Sequence, residues 1–528
     1  MKKIIKYLMV LFVPIVMEGC KKSLEVPIQS AYTFDTYFVT DDAVNQAVVA
    51  CYAPLLHVGM FPRDWYFIFD QMGWDAKPAA PLQGPYRQLS EMTFDATHFN
   101  LSEQWNSLFR MVKRANVVLD RGTAWQPAND VEKADQAQYI GEAKFMRAFA
   151  YFYLVNNWGR VPLHTSYQET QDNKFAARAA VADIWALIEQ DLKDAEVSLP
   201  LVYPPEWLGR ATKGAAVALL GKSYLYEKKW ADAQAELTKL TTPGNPFNYS
   251  LDPIYNHLFS LENQLNNPEI IFQVMHEAFQ PGGRDDYYED AQERGAFGVG
   301  THSPRAMDVG FNDYQNLFVS DALVKSFTYP NPVTGVPGYI DPRAKYTFYG
   351  DAASGGQTEY CQDCPGGPIP YPFAVKGYRY LKYEYYDKQA SMQNTISPIN
   401  DEIIRYADVL LMLAEAYIQQ GNTGTEPLNL INQVRSRPSV NAVPYPSLGN
   451  QAAAFDILKR ERRLELSLEE LRYFDLIRWG IAKETINAER AAEGDIFLFQ
   501  DKNVLFPIPQ YEKDTNPNVA SDVPDDWN

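Results

Sequence analysis

Cysteine and histidine are scarce in this chain, with four and six residues among 528. Cys361 and Cys364 lie close together in a Gly/Pro-rich stretch, and Pro365 follows where a thioredoxin-like motif would begin a helix. A zinc site would need two further ligands, and the histidines show no paired spacing. We therefore expect no metal site, a small surface disulfide or two free thiols at Cys361 and Cys364, and a buried apolar role for Cys51.

Long apolar runs are almost absent as well. The run from Tyr7 to Met17 is shorter than the roughly 20 residues that a membrane-spanning helix needs. It follows three lysines among the first six residues, and its length suits the apolar region of a secretory signal peptide. Residues 1–19 are therefore predicted to be a signal peptide, and the chain is predicted to be exported.

Cys20 directly follows Gly19 at the end of this run, an arrangement that resembles a bacterial lipobox. In a lipobox the cysteine is lipidated and becomes the mature N-terminus, which holds a protein on a membrane without spanning it. Met17 and Glu18 depart from the usual Leu-(Ala/Ser) of that motif, and an ordinary signal peptide cleaved elsewhere is the alternative. We expect lipidation at Cys20 and a membrane contact through that lipid.

Positively charged residues are fewer than negatively charged ones. The chain has 48 Lys and Arg residues and 66 Asp and Glu residues, which gives a net charge of −18. Removal of residues 1–19 takes away three lysines and one glutamate and moves the net charge to −20. An acidic chain of this kind is a poor partner for nucleic acid or for anionic lipid headgroups. The sequence therefore predicts no nucleic-acid partner.

Catalytic motifs are missing too. Gly221-Lys222-Ser223 would need a glycine at position 216 to complete a P-loop, and that residue is Ala216. His276-Glu277 has no second histidine one helical turn later, and there is no G-x-S-x-G segment. The carboxylates are too numerous for a glycosidase pair to be singled out. We expect neither catalytic residues nor a cofactor.

Helical periodicity is the main feature that is present, and it predicts an all-α fold. Apolar residues recur at i, i+3 and i+4 in four segments, residues 143–153, 184–192, 213–226 and 403–421. Residues 61–99 and 241–400 lack this period and are crowded with Pro, Gly, Asn, Tyr and Asp, so we interpret them as long irregular insertions. Short strands are predicted there at Glu269–Met275 and Arg379–Tyr386.

Two segments follow the tetratricopeptide pattern, in which small residues let two antiparallel helices approach closely. Leu220-Gly221 is followed by Tyr224 and Ala233 at the spacing of that repeat, and Leu413-Ala414 with Tyr417 repeats its first half. The two copies are too far apart for a tandem array. The sequence therefore predicts dispersed tetratricopeptide-like helix pairs.

Glu461 falls on the apolar face of a charge-dense helical segment that begins at Ile457. A carboxylate in that position is predicted to be partly buried and to need a cation. Arg405, Arg472 and Arg478 are the candidate partners. A tuned acid is the functional alternative, but no histidine or nucleophile accompanies it, and we expect an ion pair that joins helices.

Five segments, in the right order, resemble the SusD/RagB family of outer-membrane nutrient-binding lipoproteins. They are Arg147-Ala-Phe-Ala-Tyr-Phe-Tyr153 with Trp158-Gly-Arg-Val-Pro-Leu163, Gly209-Arg-Ala-Thr-Lys-Gly214, Ile404-Arg-Tyr-Ala-Asp-Val-Leu-Leu-Met-Leu-Ala-Glu-Ala416, Arg460-Glu-Arg-Arg-Leu-Glu-Leu466 with Arg472-Tyr-Phe-Asp-Leu-Ile-Arg-Trp-Gly480, and Val504-Leu-Phe-Pro-Ile-Pro-Gln510 with Asn516-Pro-Asn518. The resemblance covers nearly the whole chain.

The resemblance implies one SusD-like helical domain over residues 20–528, displayed on the outer membrane by its lipid. Its expected parts are an N-terminal helical part over 20–240, an irregular ligand-binding region over 241–400, and a C-terminal helical part over 401–528. The expected function is non-catalytic capture of oligosaccharides for a SusC-like TonB-dependent transporter. Peptide or another nutrient is the alternative cargo, and a secreted hydrolase is a further alternative.

Sugar recognition needs aromatic faces against the C–H side of the ring and polar groups for the hydroxyls, and irregular loops are suited to present them. The candidate ligand-binding residues in the two insertions are Trp65, Trp74, Asp75, Tyr86, Arg284, Tyr287, Tyr288, Asn312 and Tyr314. Further candidates beside them are Tyr66, Arg87, Asp285, Asp286 and Phe297. Trp74 and Tyr288 are the preferred stacking rings, and local packing within the loop is the alternative role for each aromatic residue.

Overall fold

The computed structural model is built mainly of α-helices. It describes residues 34–79, 82, 84–261, 263–276, 303, 305–311, 314–360, 366–384 and 397–522. The helices are α1 (Phe34–Tyr37), α2 (Asp41–Tyr52), α3 (Asp64–Met72), α4 (Gly84–Ser90), α5 (Phe99–Ala124), α6 (Asp130–Trp158), α7 (Tyr167–Asp172), α8 (Val181–Ser198), α9 (Lys213–Tyr226), α10 (Trp230–Thr241), α11 (Arg305–Val309), α12 (Asp321–Ser326), α13 (Ala344–Thr347), α14 (Phe373–Lys376), α15 (Tyr406–Gln419), α16 (Thr425–Arg435), α17 (Gln451–Glu465), α18 (Arg472–Arg478), α19 (Ala482–Ala492), α20 (Gln510–Thr515) and α21 (Pro517–Ala520). The predicted all-α fold is confirmed.

The strands are short and form antiparallel pairs. They are β1 (Ala76–Pro78), β2 (Ile270–Val274), β3 (Leu317–Val319), β4 (Thr328–Tyr329), β5 (Tyr339–Ile340), β6 (Phe348–Tyr349), β7 (Glu359–Tyr360), β8 (Ile369–Pro370), β9 (Arg379–Tyr380) and β10 (Asp401–Arg405). The pairs are β1 with β3, β2 with β10, β4 with β5, β6 with β9, and β7 with β8. The predicted strand at 269–275 is confirmed as β2, whereas the one at 379–386 is reduced to β9 within the described residues.

The four predicted helical bands all lie in long helices. Residues 143–153 fall in α6, 184–192 in α8, 213–226 in α9, and most of 403–421 in α15. Side chains cap several of these helices where backbone N–H groups lack a partner. Asn129 accepts from two backbone N–H groups at the start of α6, and Thr212 accepts from the Ala215 N–H, 3.2 Å away, at the start of α9.

Helices α9 and α10 form the predicted tetratricopeptide-like pair. Gly221 lies directly against Leu237 of α10, and a Cβ atom at position 221 would be 2.5 Å from its Cδ2 atom. Because real Cβ contacts are never that short, the close approach of the two helices depends on glycine. Helices α15 and α16 form the second predicted pair and are separated by the turn at Gly421, whose φ is +84°.

The first insertion differs from the irregular loop that its sequence predicts. Residues 61–99 contain α3 and α4, and every residue of α3 from Asp64 to Met72 is buried. This helix is thus a core element whose side chains are buried on every side. The second insertion, over 241–400, has the expected irregular texture in its described residues, with short strands and helices between longer connections.

Glu461 forms the predicted kind of buried ion pair, but its partners are different residues. Its carboxylate oxygens lie 2.7 Å from Arg343 Nη1 and 2.7 Å from Arg435 Nη1, and all three side chains are inaccessible to solvent. The candidates proposed from the sequence pair elsewhere, so the prediction of Arg405, Arg472 or Arg478 is wrong. Their partners are Glu269, Glu465 and Glu469 for Arg405, Asp75 and Glu489 for Arg472, and Glu415 and Asp475 for Arg478.

Glu465 is the centre of this buried network. It contacts Arg405 at 2.8 Å and Arg437 at 2.9 Å, and Arg343 lies 3.1 Å from its second oxygen. Burial acts to raise the pKa of Glu465, but these guanidinium groups, Arg437 foremost, hold it below its usual range. The carboxylate therefore stays ionised and joins α17 to β10 and to the second insertion.

The C-terminal segment returns to the N-terminal helices. The Phe506 N–H donates to the Asn157 carbonyl at 2.6 Å, and the Trp158 indole N–H donates to the Pro507 carbonyl at 3.0 Å. Asp522 lies 3.0 Å from the Arg178 guanidinium. The end of α6 is thus closed by residues that come more than three hundred positions later.

Among the described residues, no helix combines the length and the apolar character that crossing a bilayer requires.

Candidate ligand-binding site

The two insertions that carry the predicted site residues meet in the structure. Strand β1 of the first insertion pairs with β3 of the second, in a register that places Ala76 opposite Val319 and Pro78 opposite Leu317. The Ala79 N–H extends this contact by donating to the Asn316 carbonyl at 3.0 Å. Two segments about 240 residues apart in sequence therefore form one surface.

Asp308 is the polar centre of this contact, and we call Arg63, Tyr66, Asp308 and Asn316 the Asp308 junction. Its Oδ2 atom accepts from Arg63 Nε at 2.9 Å and from the Tyr66 hydroxyl at 2.6 Å. Its Oδ1 atom accepts from Arg63 Nη2 at 3.0 Å and from Asn316 Nδ2 at 2.7 Å. Every acceptor position of the buried carboxylate is used, which is the condition for a stable buried charge.

Tyr66 keeps its proton in this environment. Burial, together with the negative charge of Asp308, raises the pKa of its phenol well above the usual value. The hydroxyl therefore acts as a hydrogen-bond donor throughout the physiological pH range. The junction fixes the start of α3 against α11 and holds the two insertions in one relative position.

Tyr86 lies half-buried beside this junction, on α4. Its ring stacks on Phe67 with centroids 4.1 Å apart, and the Arg63 guanidinium lies 5.4 Å from the ring centroid. Its hydroxyl donates to Asp64 Oδ1 at 2.7 Å. A ring held in this way loses little conformational freedom when a ligand binds. Tyr86 is therefore a preorganised aromatic edge of the candidate site.

Tyr314 is the most exposed predicted ring that the described residues contain, with 51% of its surface accessible. Its backbone is held by a hydrogen bond from its N–H to the Met307 carbonyl at 3.1 Å. The neighbouring Gln315 has a φ of +57°, and its carbonyl accepts from Arg379 Nη1 at 3.3 Å. The backbone around the ring is thus fixed, while the ring itself is open to a ligand.

A cluster of aromatic rings packs around Phe311 in the second insertion. Phe311 makes edge contacts with Tyr349, Tyr360 and Tyr371, at centroid distances of 5.4, 4.8 and 5.1 Å. Tyr360 is half-buried, and the other three rings are buried. The cluster therefore packs Phe311, three residues before Tyr314, against the segments around β6, β7 and β8.

Trp65 and Trp74 lie too deep to contact a ligand in this structure, and Asp75, which is 2% exposed, is paired with Arg472. Trp65 is 3% exposed and packs in the core against Tyr153, with centroids 4.7 Å apart. Trp74 is 1% exposed, and the Arg490 guanidinium lies 4.2 Å from its ring centroid. These side chains have the packing role that was the alternative for each aromatic residue, and we remove them from the candidate surface. Tyr66 is buried as well and acts through the Asp308 junction.

The remaining predicted residues lie outside the described part of the chain. They are Arg284, Asp285, Asp286, Tyr287, Tyr288, Phe297 and Asn312, together with Cys20, Cys361 and Cys364. The described segments at His276, Ser303 and Phe311 border several of them.

Sequence reasoning missed Arg63, Asp308 and Asn316. Each is a single polar residue without a motif around it, and their association depends on contacts across more than 240 positions. The one local signal is the position of Arg63, immediately before a segment with five consecutive apolar or aromatic residues from Trp65 to Phe69. A cation there needs a buried partner, which a sequence alone does not identify.

The described residues contain no group of three or more His, Cys, Asp or Glu side chains arranged to hold a metal ion. His276 and Asp401 form a close buried pair, with Nε2 and Oδ2 2.8 Å apart. Asp401 also accepts from Arg305 Nη1 at 3.0 Å. Asp401 is thus paired with the buried Arg305 and lies beside His276.

The helix pairs and the two joined insertions place this chain in a class of α-helical proteins that are built on tetratricopeptide-like pairs. Two family models match this chain. The one described as "SusD family" matches residues 268–524, and the one described as "Starch-binding associating with outer membrane" matches residues 82–225. The chain belongs to the SusD/RagB family.

Relatives with similar sequences and structures extend over nearly the whole chain. SusD-like protein P25 of Formosa agariphila is 26% identical and covers 94% of each chain. A SusD superfamily protein of Bacteroides vulgatus has a TM-score of 0.72 at 24% identity, over 93% of this chain and 100% of its own. A laminarin binding SusD-like protein has a TM-score of 0.70 at 25% identity, over 90% of this chain and 97% of its own.

Proposed function

We propose that this protein captures oligosaccharides at the cell surface without catalysis and passes them to a SusC-like TonB-dependent transporter. The observation that carries the proposal is the Asp308 junction, which holds two insertions together and leaves Tyr86 and Tyr314 accessible at their surface. Further support comes from a similar protein that binds laminarin. The proposed role needs a rigid surface and no bond-making residue.

The proposed contacts follow from the chemistry of a sugar ring. Its C–H face packs on the exposed Tyr314 ring, and the fixed edge of Tyr86 limits where a second ring lies. Arg87, exposed on α4, supplies a donor for hydroxyl groups. Arg284, Tyr287, Tyr288 and Asn312 remain proposed contacts of the same site.

Isothermal titration with a panel of oligosaccharides tests this proposal, and Tyr314→Ala is the informative variant. We expect it to weaken binding about tenfold, which corresponds to about 1.4 kcal/mol. Tyr511→Ala is a matched control, because Tyr511 is 71% exposed on helix α20 and belongs to neither insertion. Equal affinity in the wild type and Tyr314→Ala would remove Tyr314 from the site.

Two further arms of this titration separate the alternatives. Heat of binding from peptides alone would replace the oligosaccharide with a peptide as cargo. Chromatography of each sugar after incubation tests the absence of catalysis, because unchanged sugar is expected. A shortened product that disappears on replacement of one Asp or Glu would favour a hydrolase.

The lipid anchor and the transporter partner are tested in cells. With residues 1–19 acting as a lipoprotein signal peptide, Cys20 carries the lipid and fixes the protein to the outer membrane. We expect the wild-type chain in the membrane fraction, accessible to external protease, and Cys20→Ser in the soluble fraction. Co-purification of the wild type with a TonB-dependent transporter supports the proposed partnership, and its consistent absence contradicts it.

A further inference from the structure

A cavity of about 430 Å³ lies between α17, α18 and α19 and the segment around β4. Its walls concentrate positive charge, with five cations and three carboxylates among the lining residues. The cations are Lys459, Arg460, Arg462, Arg463 and Arg472. The carboxylates are Asp75, Asp475 and Glu489. In a chain whose net charge is −18, a cation of this set that lacks a carboxylate partner is the group that could attract an anionic ligand.

Four of the five cations have a carboxylate within ion-pair distance, and for Lys459 and Arg463 these are Asp456 at 2.8 Å and Glu489 at 2.7 Å. Arg462 lies 2.8 Å from Asp408 and 2.7 Å from Asp475. Arg472 lies 2.8 Å from Glu489 and 3.2 Å from Asp75. These pairs are structural, and they contribute no free charge to a ligand.

Arg460 is different, because within the described residues it forms no ion pair. Its Nη1 atom is 3.4 Å from the Tyr445 hydroxyl, and its guanidinium carbon lies 5.1 Å from the Tyr329 ring centroid. The side chain is half-buried and lines the cavity. Most of its donors are therefore unused at a place where an anion would be partly shielded from water.

Arg463 is ion-paired but provides a second donor through its Nε atom. Its Nη1 atom contacts Glu489 at 2.7 Å, while its buried Nε atom makes no hydrogen bond within the described residues, although Asp75 Oδ1 is 3.4 Å away. Buried donors without an acceptor cost free energy until a ligand or water satisfies them. A bound acceptor in the cavity would remove that cost.

The cavity also has apolar walls. Trp479 is half-buried at its edge, and Leu466, Leu471 and Leu476 line it together with Tyr329. Its volume falls within the range of roughly 300–1,000 Å³ that encloses small organic ligands. Free guanidinium donors beside an aromatic wall fit an anionic group that is attached to a carbon ring, and they fit a bare inorganic anion less well.

We propose that this cavity binds a saccharide unit that carries a carboxylate, with Arg460 as the principal charge partner. Arg463 Nε supplies a second hydrogen bond, and Trp479 contacts the sugar ring. Asp75 of the first insertion and Ser326, Thr328 and Tyr329 of the second insertion line the cavity, whereas Tyr86 and Tyr314 do not. The two proposed sites therefore use different side chains.

Isothermal titration with glucuronate, glucose and sodium sulfate at constant ionic strength tests the proposal. We expect glucuronate to bind, glucose to give no heat at this site, and sulfate to bind at least tenfold more weakly than glucuronate. Affinity for glucuronate should fall with added salt, because the main contact is between charges. Sulfate binding as tight as that of glucuronate would overturn the saccharide assignment.

Arg460→Gln is expected to weaken glucuronate binding at least tenfold. Arg160→Gln is the matched control, since the Arg160 side chain is 48% exposed and lies outside the cavity, and it should leave this affinity unchanged. Thr328→Trp is a second test that removes no charge, because Thr328 lines the cavity and a large ring would occupy it. Binding that survives both Arg460→Gln and Thr328→Trp overturns the proposal.

Tyr314→Ala separates this proposal from the proposed function. Retained glucuronate binding in Tyr314→Ala is expected, because the cavity does not include that ring. Loss of glucuronate binding in Tyr314→Ala, with retention in Arg460→Gln, would place the ligand at the two insertions and refute the cavity site. Loss of neutral-sugar binding alone leaves the cavity proposal standing.

Discussion

Replacing Asp308 by asparagine removes the charge at the centre of the Asp308 junction while keeping the size of the side chain. Each carboxylate oxygen accepts from two donors, Arg63 and Tyr66 at Oδ2, and Arg63 and Asn316 at Oδ1. Whichever position the new amide nitrogen takes, its own N–H groups then face donors. The substitution therefore loses hydrogen bonds as well as the charge that faces Arg63.

The expected cost follows from burial. The Asp308 carboxylate is completely buried, and Arg63 is 6% exposed. Removing one partner of a buried ion pair lowers the free energy of unfolding by about 3–5 kcal/mol, because the remaining charge is left unpaired in a medium of low dielectric constant. We expect Asp308→Asn to lower the free energy of unfolding by about that amount.

Urea denaturation measures this change, and amide hydrogen exchange shows where it acts. Exchange should accelerate in α3, β1 and β3, which the junction holds together, and oligosaccharide affinity should fall with it. Asp321→Asn is the control, because Asp321 is 42% exposed and lies 3.2 Å from Lys77. An exposed pair of this kind contributes about 1 kcal/mol or less. Equal losses in the two variants would refute the reasoning.

Two further predictions concern packing and pH. Gly221→Ala should destabilise by up to about 2 kcal/mol, because the overlap of the new Cβ with Leu237 costs about 1–3 kcal/mol and the gain in helix propensity is about 1 kcal/mol. Combining it with Leu237→Ala should cost less than the sum of the single changes in urea denaturation, and strict additivity would contradict the contact. Burial raises the pKa of Asp64 to about 6, so the folded state binds its proton more tightly than the unfolded state, and stability falls as the pH rises from about 4 to 6. The free energy of unfolding of Asp64→Asn, relative to the wild type, should therefore rise by about 2 kcal/mol between pH 4 and pH 7, and a flat difference would contradict the shift.

The amphipathic helices could be predicted from the sequence because their two faces differ. Ile184, Ile188 and Leu192 of α8 are buried at helical spacing, whereas the residues between them include exposed polar ones. Gly221 with Tyr224 carried enough of the tetratricopeptide pattern to predict a close helix pair. These signals are local, so one short window contains all the information that is needed.

Helix α3 was missed because it has no exposed face. All residues from Asp64 to Met72 are buried, so apolar residues occur without a period and the segment resembles an irregular aromatic loop. Trp65 was consequently predicted to contact ligand. In the structure it packs on Phe61 and Tyr153 instead.

The choice of ion-pair partners was also beyond the sequence. The position of Glu461 on an apolar face correctly indicated burial and the need for a cation. Which cation lies nearest depends on how α16 and the second insertion pack against α17, and many arginines of this chain are buried with carboxylates. The pairing of β1 with β3 likewise could not be predicted, because it joins segments about 240 residues apart and no local pattern indicates it.

The return of the C-terminal segment to α6 decides when a newly made chain can finish folding. Trp158 is synthesised 349 residues before Pro507, whose carbonyl accepts the hydrogen bond from its indole. Arg178 is likewise synthesised 344 residues before its partner Asp522. Until then the first long helices keep an open apolar seam, and such partly folded species bind chaperones or aggregate. Translation must therefore be nearly complete before the earliest helices are sealed, and a chain that stops short of Phe506 would leave that seam open permanently.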